Sequence, residues 1–565
     1  MVYDYIVVGG GSAGCILAHR LSEDPSNKVA LVEAGPDVLP EEVPEVLADS
    51  YPGFSYFHPD YHWRDLRIHP RKAPDDGGAY RGQKLEQAKV MGGGSSINGQ
   101  MAIRGLPRDF DDWKSSGADG WGYEDVLPFF RKVERDVDFD SPLHGSEGRM
   151  PIRRLFPKQW PGFSRSFVAA LEGLGFEYRE DLNGETGDGI FPIPVANQYN
   201  RRVSTAVAYL DNRTRCRENL HILALTTARR VVFEGKRAVA VDAVDADGQT
   251  LRLSGREIIL SLGALHTPPM LMRSGVGPAS HLAAHGLQVV KDLPGVGENL
   301  HEHPSLSLAV HLTPQARLPH SIRRQIFVGL RYSSGFTDCP PGDMLILPTN
   351  KAGWHPIGRR MGALAVVVNR SFSKGRVRLR SADYLEEPLV ELNMASDPRD
   401  LARLVEGMKL AFKILASSAM APSMNFWFPS SYNDATRALA VRTVPNYVST
   451  WIAAQFVERP GMARNFMRKW KLHPTTDPAR LERDDDYLKE WILRTVWPSW
   501  HVSGTCKIGA GSDSMAVLDP DCKVRGVEGL RVVDASIMPN IVSANTNLST
   551  MMAAERAASL ILGRG

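Results

Sequence analysis

The hydrophobic pattern begins with Tyr3-Asp4-Tyr5-Ile6-Val7-Val8, a run that predicts a buried strand. Small and polar residues then interrupt it as Gly9-Gly10-Gly11-Ser12-Ala13-Gly14, and Cys15, Ile16, Leu17, Ala18, Arg20 and Leu21 resume it with helical character. A second apolar run, Val29-Ala30-Leu31-Val32, predicts another strand and ends on Glu33, nineteen residues beyond Gly14. Far along the chain Leu530-Arg531-Val532-Val533 predicts a strand closed by Asp534. Asp484-Asp485-Asp486 lies beside Arg483 and Lys489 in a charged helical stretch, which reads as a solvated face and not as a metal site. No uninterrupted apolar window reaches the length that a membrane-spanning helix needs.

Strand, glycine turn, helix, strand and terminal acid, in that order, predict a dinucleotide site. Gly9 permits the tight turn, Gly11 lets the backbone approach a pyrophosphate, and Gly14 lets helix and strand pack closely. The helix N-terminus favours the phosphate charge, and Glu33 is placed to accept hydrogen bonds from ribose hydroxyls. Nicotinamide and flavin enzymes share this loop. Its place at the start of a long chain with several later glycine-rich segments favours an FAD fold built from discontinuous pieces. The alternative is an NAD domain followed by an unrelated one.

Composition narrows the class. The chain has 565 residues, and 67 basic against 64 acidic side chains leave a formal charge of +3, so no nucleic-acid partner is expected. The length predicts two or more lobes with a cleft between them. Hydrophobic residues at 43% and charged residues at 23% exclude a disordered or disulfide-stapled chain. Cys15, Cys216, Cys339, Cys506 and Cys522 are scattered and odd in number, which suits reduced thiols and no zinc site. No secretory pattern precedes the first strand, so a soluble cytoplasmic protein is expected.

Three further segments carry a family resemblance. Ala88-Lys89-Val90-Met91-Gly92-Gly93-Gly94-Ser95-Ser96-Ile97-Asn98 runs on to Ala102, Ile103, Arg104 and Gly105, and Gly263-Ala264-Leu265-His266-Thr267-Pro268 runs on to Arg273-Ser274-Gly275-Val276-Gly277. The third comprises Trp500-His501-Val502-Ser503-Gly504-Thr505, Val533-Asp534-Ala535-Ser536-Ile537-Met538-Pro539 and Ala544-Asn545-Thr546-Asn547. In this order they resemble the signature segments of the glucose–methanol–choline (GMC) oxidoreductases. Arg104 to Trp113 and Ser396 to Leu401 look most like the bacterial branch that contains 5-hydroxymethylfurfural oxidase and relatives of aryl-alcohol oxidase and choline dehydrogenase.

The resemblance implies an α/β fold. A Rossmann-like FAD domain would be assembled from 1–155, 205–310 and 495–565, and a substrate domain with a large antiparallel sheet from 156–204 and 311–494. It implies FAD held by Gly9, Gly11, Ser12, Ala13, Gly14, Glu33 and Ala34, by Met91, Gly92, Gly93, Gly94, Ser95, Asn98 and Gly99, and by Asp534, Ala535, Asn545, Thr546 and Asn547. Ala228 corresponds to the family position whose backbone meets adenine, where valine is usual. Ile97 appears where some members carry the histidine that links FAD covalently, so dissociable FAD is expected.

Oxidising an alcohol requires loss of the hydroxyl proton as a hydride leaves the same carbon, which calls for a base of near-neutral pKa. Of sixteen histidines, His501 matches the family's catalytic position, and Asn545 stands in the second place of its His-His or His-Asn pair. Asn545 would donate to the substrate oxygen as charge develops on it.

The implied reaction is oxidation of a small primary alcohol, aromatic or furanic, to the aldehyde and onward to the acid. Molecular oxygen is the favoured acceptor, and a monomer or small homo-oligomer is expected. A dehydrogenase using a quinone or dye, a flavin-containing hydroxynitrile lyase and a photodecarboxylase are the family's alternatives. Residues 36–80 read as an ordered excursion over the cofactor. The aromatic and basic stretch 424–471 reads as helices of the substrate lobe, a membrane surface, a subunit interface or a lid.

Overall fold

The computed structural model describes residues 2–73, 82–430, 432–458 and 476–564. Phe466, Trp470, Arg459, Arg464, Arg468, Lys469 and Lys471 of the aromatic and basic stretch lie outside the described residues, as does the end of the 36–80 excursion.

The first apolar run forms the strand Val2–Val8 at the centre of a mostly parallel sheet. Val29–Val32 and then Leu220–Leu223 lie parallel on one side, and the second half of Thr250–Leu260 on the other. Leu530–Val532 continues the parallel set beyond Ile258–Leu260. The first half of Thr250–Leu260 instead pairs antiparallel with Arg237–Val244, which pairs with Thr227–Glu234. Every residue of Val29–Val32 is buried because both faces of this sheet are covered. The helix Ser12–Leu21 packs under the C-terminal helix Thr546–Ile561, which in turn meets Tyr123–Val133.

The second large sheet is antiparallel. Its order is Met424–Pro429, Pro304–Leu312, Met361–Val368, Met344–Thr349, Val328–Tyr332 and Gly189–Pro192, with Trp497–Pro498 pairing to the start of Pro304–Leu312. One face carries Leu308, Val310, Ile346, Leu364 and Val366 into a core shared with the helix Pro398–Ala416. Side chains alternate across a strand, so the other face presents three rungs. These are Ser305, Val367 and Leu345, then Ser307, Ala365 and Leu347, then Ala309, Ala363 and Thr349. Small residues dominate that face, and they leave a void above it. The mixed α/β architecture, with a Rossmann-like parallel sheet beside a large antiparallel one, is the class expected from sequence.

The useful groups collect at the C-terminal ends of the parallel strands, where α/β sheets bind ligands. Val8 leads to Gly9, Val32 to Glu33, Leu260 to Ser261, and Val532 through Val533 to Asp534. Gly9 has φ +103°, a conformation that L side chains rarely adopt. Gly14 serves the packing of helix on strand, since a Cβ there would lie 1.9 Å from the carbonyl oxygen of Gly9. Gly14→Ala is therefore expected to destabilise the protein by about 1 to 3 kcal/mol or more through overpacking against backbone, seen as a lowered Tm in thermal unfolding.

Candidate active site

A cavity of about 740 Å³ runs from the ends of the parallel strands to the small-residue face of the antiparallel sheet. Its wall includes Gly9, Gly11, Ser12, Ala13, Glu33, Ala34, Gly93, Gly94, Asn98 and Gly99 from the first part of the chain. His501, Asp534, Ala535, Asn545, Thr546 and Asn547 join them from the last part. Gly14, Met91, Gly92, Ser95 and Ala228 do not line it. Gly14 lies beneath the loop, and Met91 sits behind Gly10, where a Cβ would come within 2.5 Å of its sulfur. The Gly92 N–H is spent on the Gly10 carbonyl at 2.7 Å. The Ser95 hydroxyl donates to the Gly92 carbonyl at 2.6 Å and accepts from the Thr205 N–H at 3.0 Å. Ala228 is paired with Ala243 in the antiparallel extension of the first sheet, away from the cavity.

Carboxylates brace the nucleotide end. Glu33 accepts from the Gly10 N–H at 2.8 Å and from the Gly35 N–H at 2.7 Å, so it fastens the glycine loop to the second strand. Burial raises its pKa, while those two N–H groups oppose the rise. Each oxygen retains acceptor capacity for a ribose hydroxyl. Asp534 accepts from the Ser536 N–H at 2.7 Å, the Gly263 N–H at 2.9 Å and the Thr267 hydroxyl at 2.6 Å. It thus caps the turn after its strand. The Ser12 hydroxyl donates to Asn547 Oδ1 at 2.7 Å and ties the glycine loop to the C-terminal helix.

These residues fit a dinucleotide. An added Cβ at Gly94 or Gly263 would meet nothing within 4 Å, and at Gly11 nothing nearer than 3.8 Å, so the cavity wall is bare backbone at three places. The buried Ser261 Oγ and Asn545 Oδ1, both from cavity-lining residues, have no protein partner. The N-terminus of Ser12–Leu21 offers its free N–H groups at the glycine loop.

At the other end stands a histidine pair. His501 Nε2 lies 2.8 Å from Asn545 Nδ2, and His501 Nδ1 lies 2.9 Å from His303 Nδ1. His303 Nε2 lies 3.0 Å from the Val542 carbonyl oxygen. Behind them Glu302 accepts from the His501 N–H at 2.9 Å and from the His303 N–H at 2.7 Å. Trp500 adopts φ +61°, the left-handed region, in the turn that delivers the His501 N–H to that carboxylate.

Burial lowers His501 to about 4. It also holds His303 well below the ordinary histidine value, with His501 adding to the effect. Burial pushes Glu302 up to about 8 against the N–H groups that favour its charge. The base expected to have a near-neutral pKa is therefore already neutral throughout the physiological range, because the cavity removes it from water.

Tyr56, Tyr432, Trp497 and Trp500 wall this end, with Tyr56 edge-on to Trp500 at 4.9 Å between ring centres. Sequence reasoning missed Glu302 and His303. Their signal was the dense run His301-Glu302-His303-Pro304 immediately before an apolar alternating strand.

The chain belongs to the GMC oxidoreductase family, whose N-terminal pattern matches residues 3–305 and whose C-terminal pattern matches 371–554. It is 38% identical to a 5-(hydroxymethyl)furfural oxidase of Methylovorus sp. over 99% of both chains. It is 32% identical to an oxygen-dependent choline dehydrogenase of Brucella anthropi over 100% of this chain and 96% of that one. Among solved structures, pyridoxine 4-oxidase from Mesorbium loti superposes with a TM-score of 0.81 at 25% identity, covering 100% of both chains. A fungal aryl-alcohol oxidase shares the fold with a TM-score of 0.73 at 21% identity, covering 100% of this chain and 99% of its own.

Glu33→Ala is expected to weaken FAD binding by about 10-fold or more. It removes the acceptor of two loop N–H groups, and hydrogen bonds to a charged group are worth about 1.5 to 3 kcal/mol each. Titration of FAD into apoprotein, followed by fluorescence quenching, measures this. Unchanged affinity would limit Glu33 to a structural role.

Proposed function

We propose that this chain is an FAD-dependent oxidase of primary alcohols, furanic and aromatic ones among them. On this reading it forms the aldehyde and then the acid, with molecular oxygen as acceptor and FAD held without a covalent bond. The observation that carries the proposal is the arrangement of His501 and Asn545 on one cavity with the glycine loop. The aromatic wall and the names of the full-length relatives support the substrate class and the acceptor. Ile97 in place of a linking histidine supports dissociable FAD. The two-lobe division at about 155, 205, 310 and 495 forms part of the same reading.

Bound FAD supplies the hydride acceptor, which leaves the protein to provide a proton acceptor and a holder for the substrate oxygen. The hydrogen bonds support His501 in the first role and Asn545 in the second. A carbonyl only accepts, so His303 Nε2 carries the proton that bonds Val542. His303 is neutral, so its Nδ1 is an acceptor and His501 Nδ1 carries the proton between the rings. His501 is neutral in turn, so its Nε2 is a bare lone pair, covered by the Asn545 amide N–H. An incoming hydroxyl takes that place: its proton goes to Nε2, and its oxygen accepts the released N–H of Asn545. His501 then gains positive charge while the Glu302 carboxyl stands at its backbone.

His501→Ala is expected to retain FAD yet slow anaerobic flavin reduction by roughly 10² to 10⁴, the range for a positioned general base. In the wild type the rate should rise with pH through the region of about 4 and stay level above it, because the unprotonated form is the active one. Stopped-flow reduction across pH checks both. A wild-type rate in His501→Ala would remove His501 from the reaction.

His303→Leu deletes the acceptor that fixes the His501 tautomer and is expected to slow reduction at least about tenfold, since a wrong tautomer alone can cost far more. His303→Gln should restore much of the rate, because one amide both accepts and donates. Nitrogen-15 shifts of labelled histidine report the tautomer directly, and an unaltered His501 tautomer in His303→Leu would refute the assignment.

A further inference from the structure

The cavity extends well past the histidine pair along the three-rung face of the antiparallel sheet, and a cation stands at its far end. Lys351 lines the cavity and is 5% exposed. Its ammonium has one long hydrogen bond, 3.5 Å to the Ile322 carbonyl, and lies 4.4 Å from the centre of the Tyr51 ring. The nearby carboxylate, Asp49, is already held by Arg323 at 3.2 Å from Nε and 2.5 Å from Nη2. Among the described residues that line the cavity, the carboxylates are Glu33 and Asp534, both at the nucleotide end. Among the described residues Lys351 forms no ion pair, and Asp49, the carboxylate whose charge acts on it, is shared with Arg323. A buried unpaired charge costs several kcal/mol. Burial, with Arg323 and Arg359 close by, lowers Lys351 to about 7, and an anion beside it would restore the charged form.

The register of the sheet sets the distance. Ser305 directly follows His303-Pro304 and belongs to the rung nearest His501. Thr349 belongs to the third rung, and Ala352, next to Lys351, donates to the Met361 carbonyl one step further along. At about 3.3 Å per residue, four to six residues separate the two ends by roughly 13 to 20 Å. The wall between them is apolar or small: Leu345, Leu347, Ala363, Ala365 and Ala309.

We propose that Lys351 anchors an anionic group at the distal end of the substrate, so that the preferred alcohols are long-chain ω-hydroxy carboxylates. This rests on the alcohol-oxidation reading above and extends it to the substrate class. The carboxylate pairs with the ammonium, the chain lies along the sheet face, and the terminal hydroxyl reaches His501 Nε2. A short hydroxy acid cannot span the two ends.

Anaerobic flavin reduction of the FAD-loaded protein by four alcohols tests it: 12-hydroxydodecanoate against dodecane-1,12-diol, and 6-hydroxyhexanoate against hexane-1,6-diol. The wild type is expected to favour the long acid over the long diol by roughly 10- to 100-fold in the ratio of limiting reduction rate to substrate dissociation constant, the range of a charge-assisted hydrogen bond. The short acid should gain no such preference. In Lys351→Met the long-chain ratio should fall to near one, and Lys351→Arg should keep part of it, with the flavin spectrum reporting that each variant is folded. Absence of a long-acid preference in the wild type overturns the inference, a comparison that needs no variant. Persistence of the preference in flavin-loaded Lys351→Met overturns it as well. Failure of all four alcohols to reduce the flavin overturns the long-chain assignment, and failure of benzyl alcohol and 5-(hydroxymethyl)furfural as well overturns the alcohol-oxidation reading itself, a separate result.

Discussion

The active end of this molecule depends on the direction of one line of hydrogen bonds. The line begins at the Val542 carbonyl, which can only accept, and passes through two imidazoles to the Asn545 amide. Each neutral ring transmits the polarity it receives, so one backbone oxygen determines which nitrogen of His501 is free to take a proton. Burial is a condition of this arrangement. In water either ring would sample both tautomers and the cation, and the line would lose its sense. The fold must therefore keep both rings dry while leaving Nε2 facing a cavity, and it does so by setting them where two sheets meet.

The two sheets contribute different things to that junction. The parallel sheet delivers groups at the ends of its strands, where the chain leaves regular structure with polar atoms to spare: Gly9, Glu33, Ser261 and Asp534. The antiparallel sheet contributes a surface instead. Its alternation places leucine, isoleucine and valine on the covered face and, on the other, enough serine and alanine to leave room above the strands. Trp497–Pro498 belongs to this sheet through its pairing with Pro304 and Ser305, and it carries the chain straight into the His501 turn. The spacing between His501 and the cavity floor is thereby set by ladder hydrogen bonds, which are stiffer than a loop.

Much of this was legible in the amino-acid sequence where the chemistry is local. The glycine turn with Glu33 can be read because strand, turn, helix and acid are neighbours in the chain, and the Trp500-to-Thr505 segment marks His501 on its own. Other features depend on residues far apart. His303 acquires its importance from Val542 and His501, more than 190 residues away, and no local pattern declares such a partnership. Lys351 is one lysine among many until the sheet register sets it on the same cavity as His501. Met91, Gly92 and Ser95 belong to a glycine- and serine-rich run that suggests ligand contact along its whole length, and part of that run holds its own turn. The low pKa of His501 follows from a dry cavity, which composition does not reveal.

The bond between Ser12 and Asn547 bridges 535 residues. A ribosome adding about 5 to 20 residues per second needs roughly half a minute to two minutes to make that much chain. During that interval the glycine loop exists without its C-terminal partner, and Arg20 waits equally long for Glu555, a carboxylate wholly buried in the finished protein. The nucleotide-binding loop is thus made well before the helix that completes it. Its early helix likewise waits for the cover that Thr546–Ile561 provides. In this fold the cofactor site is complete only once the segment that carries Asn547 has been made.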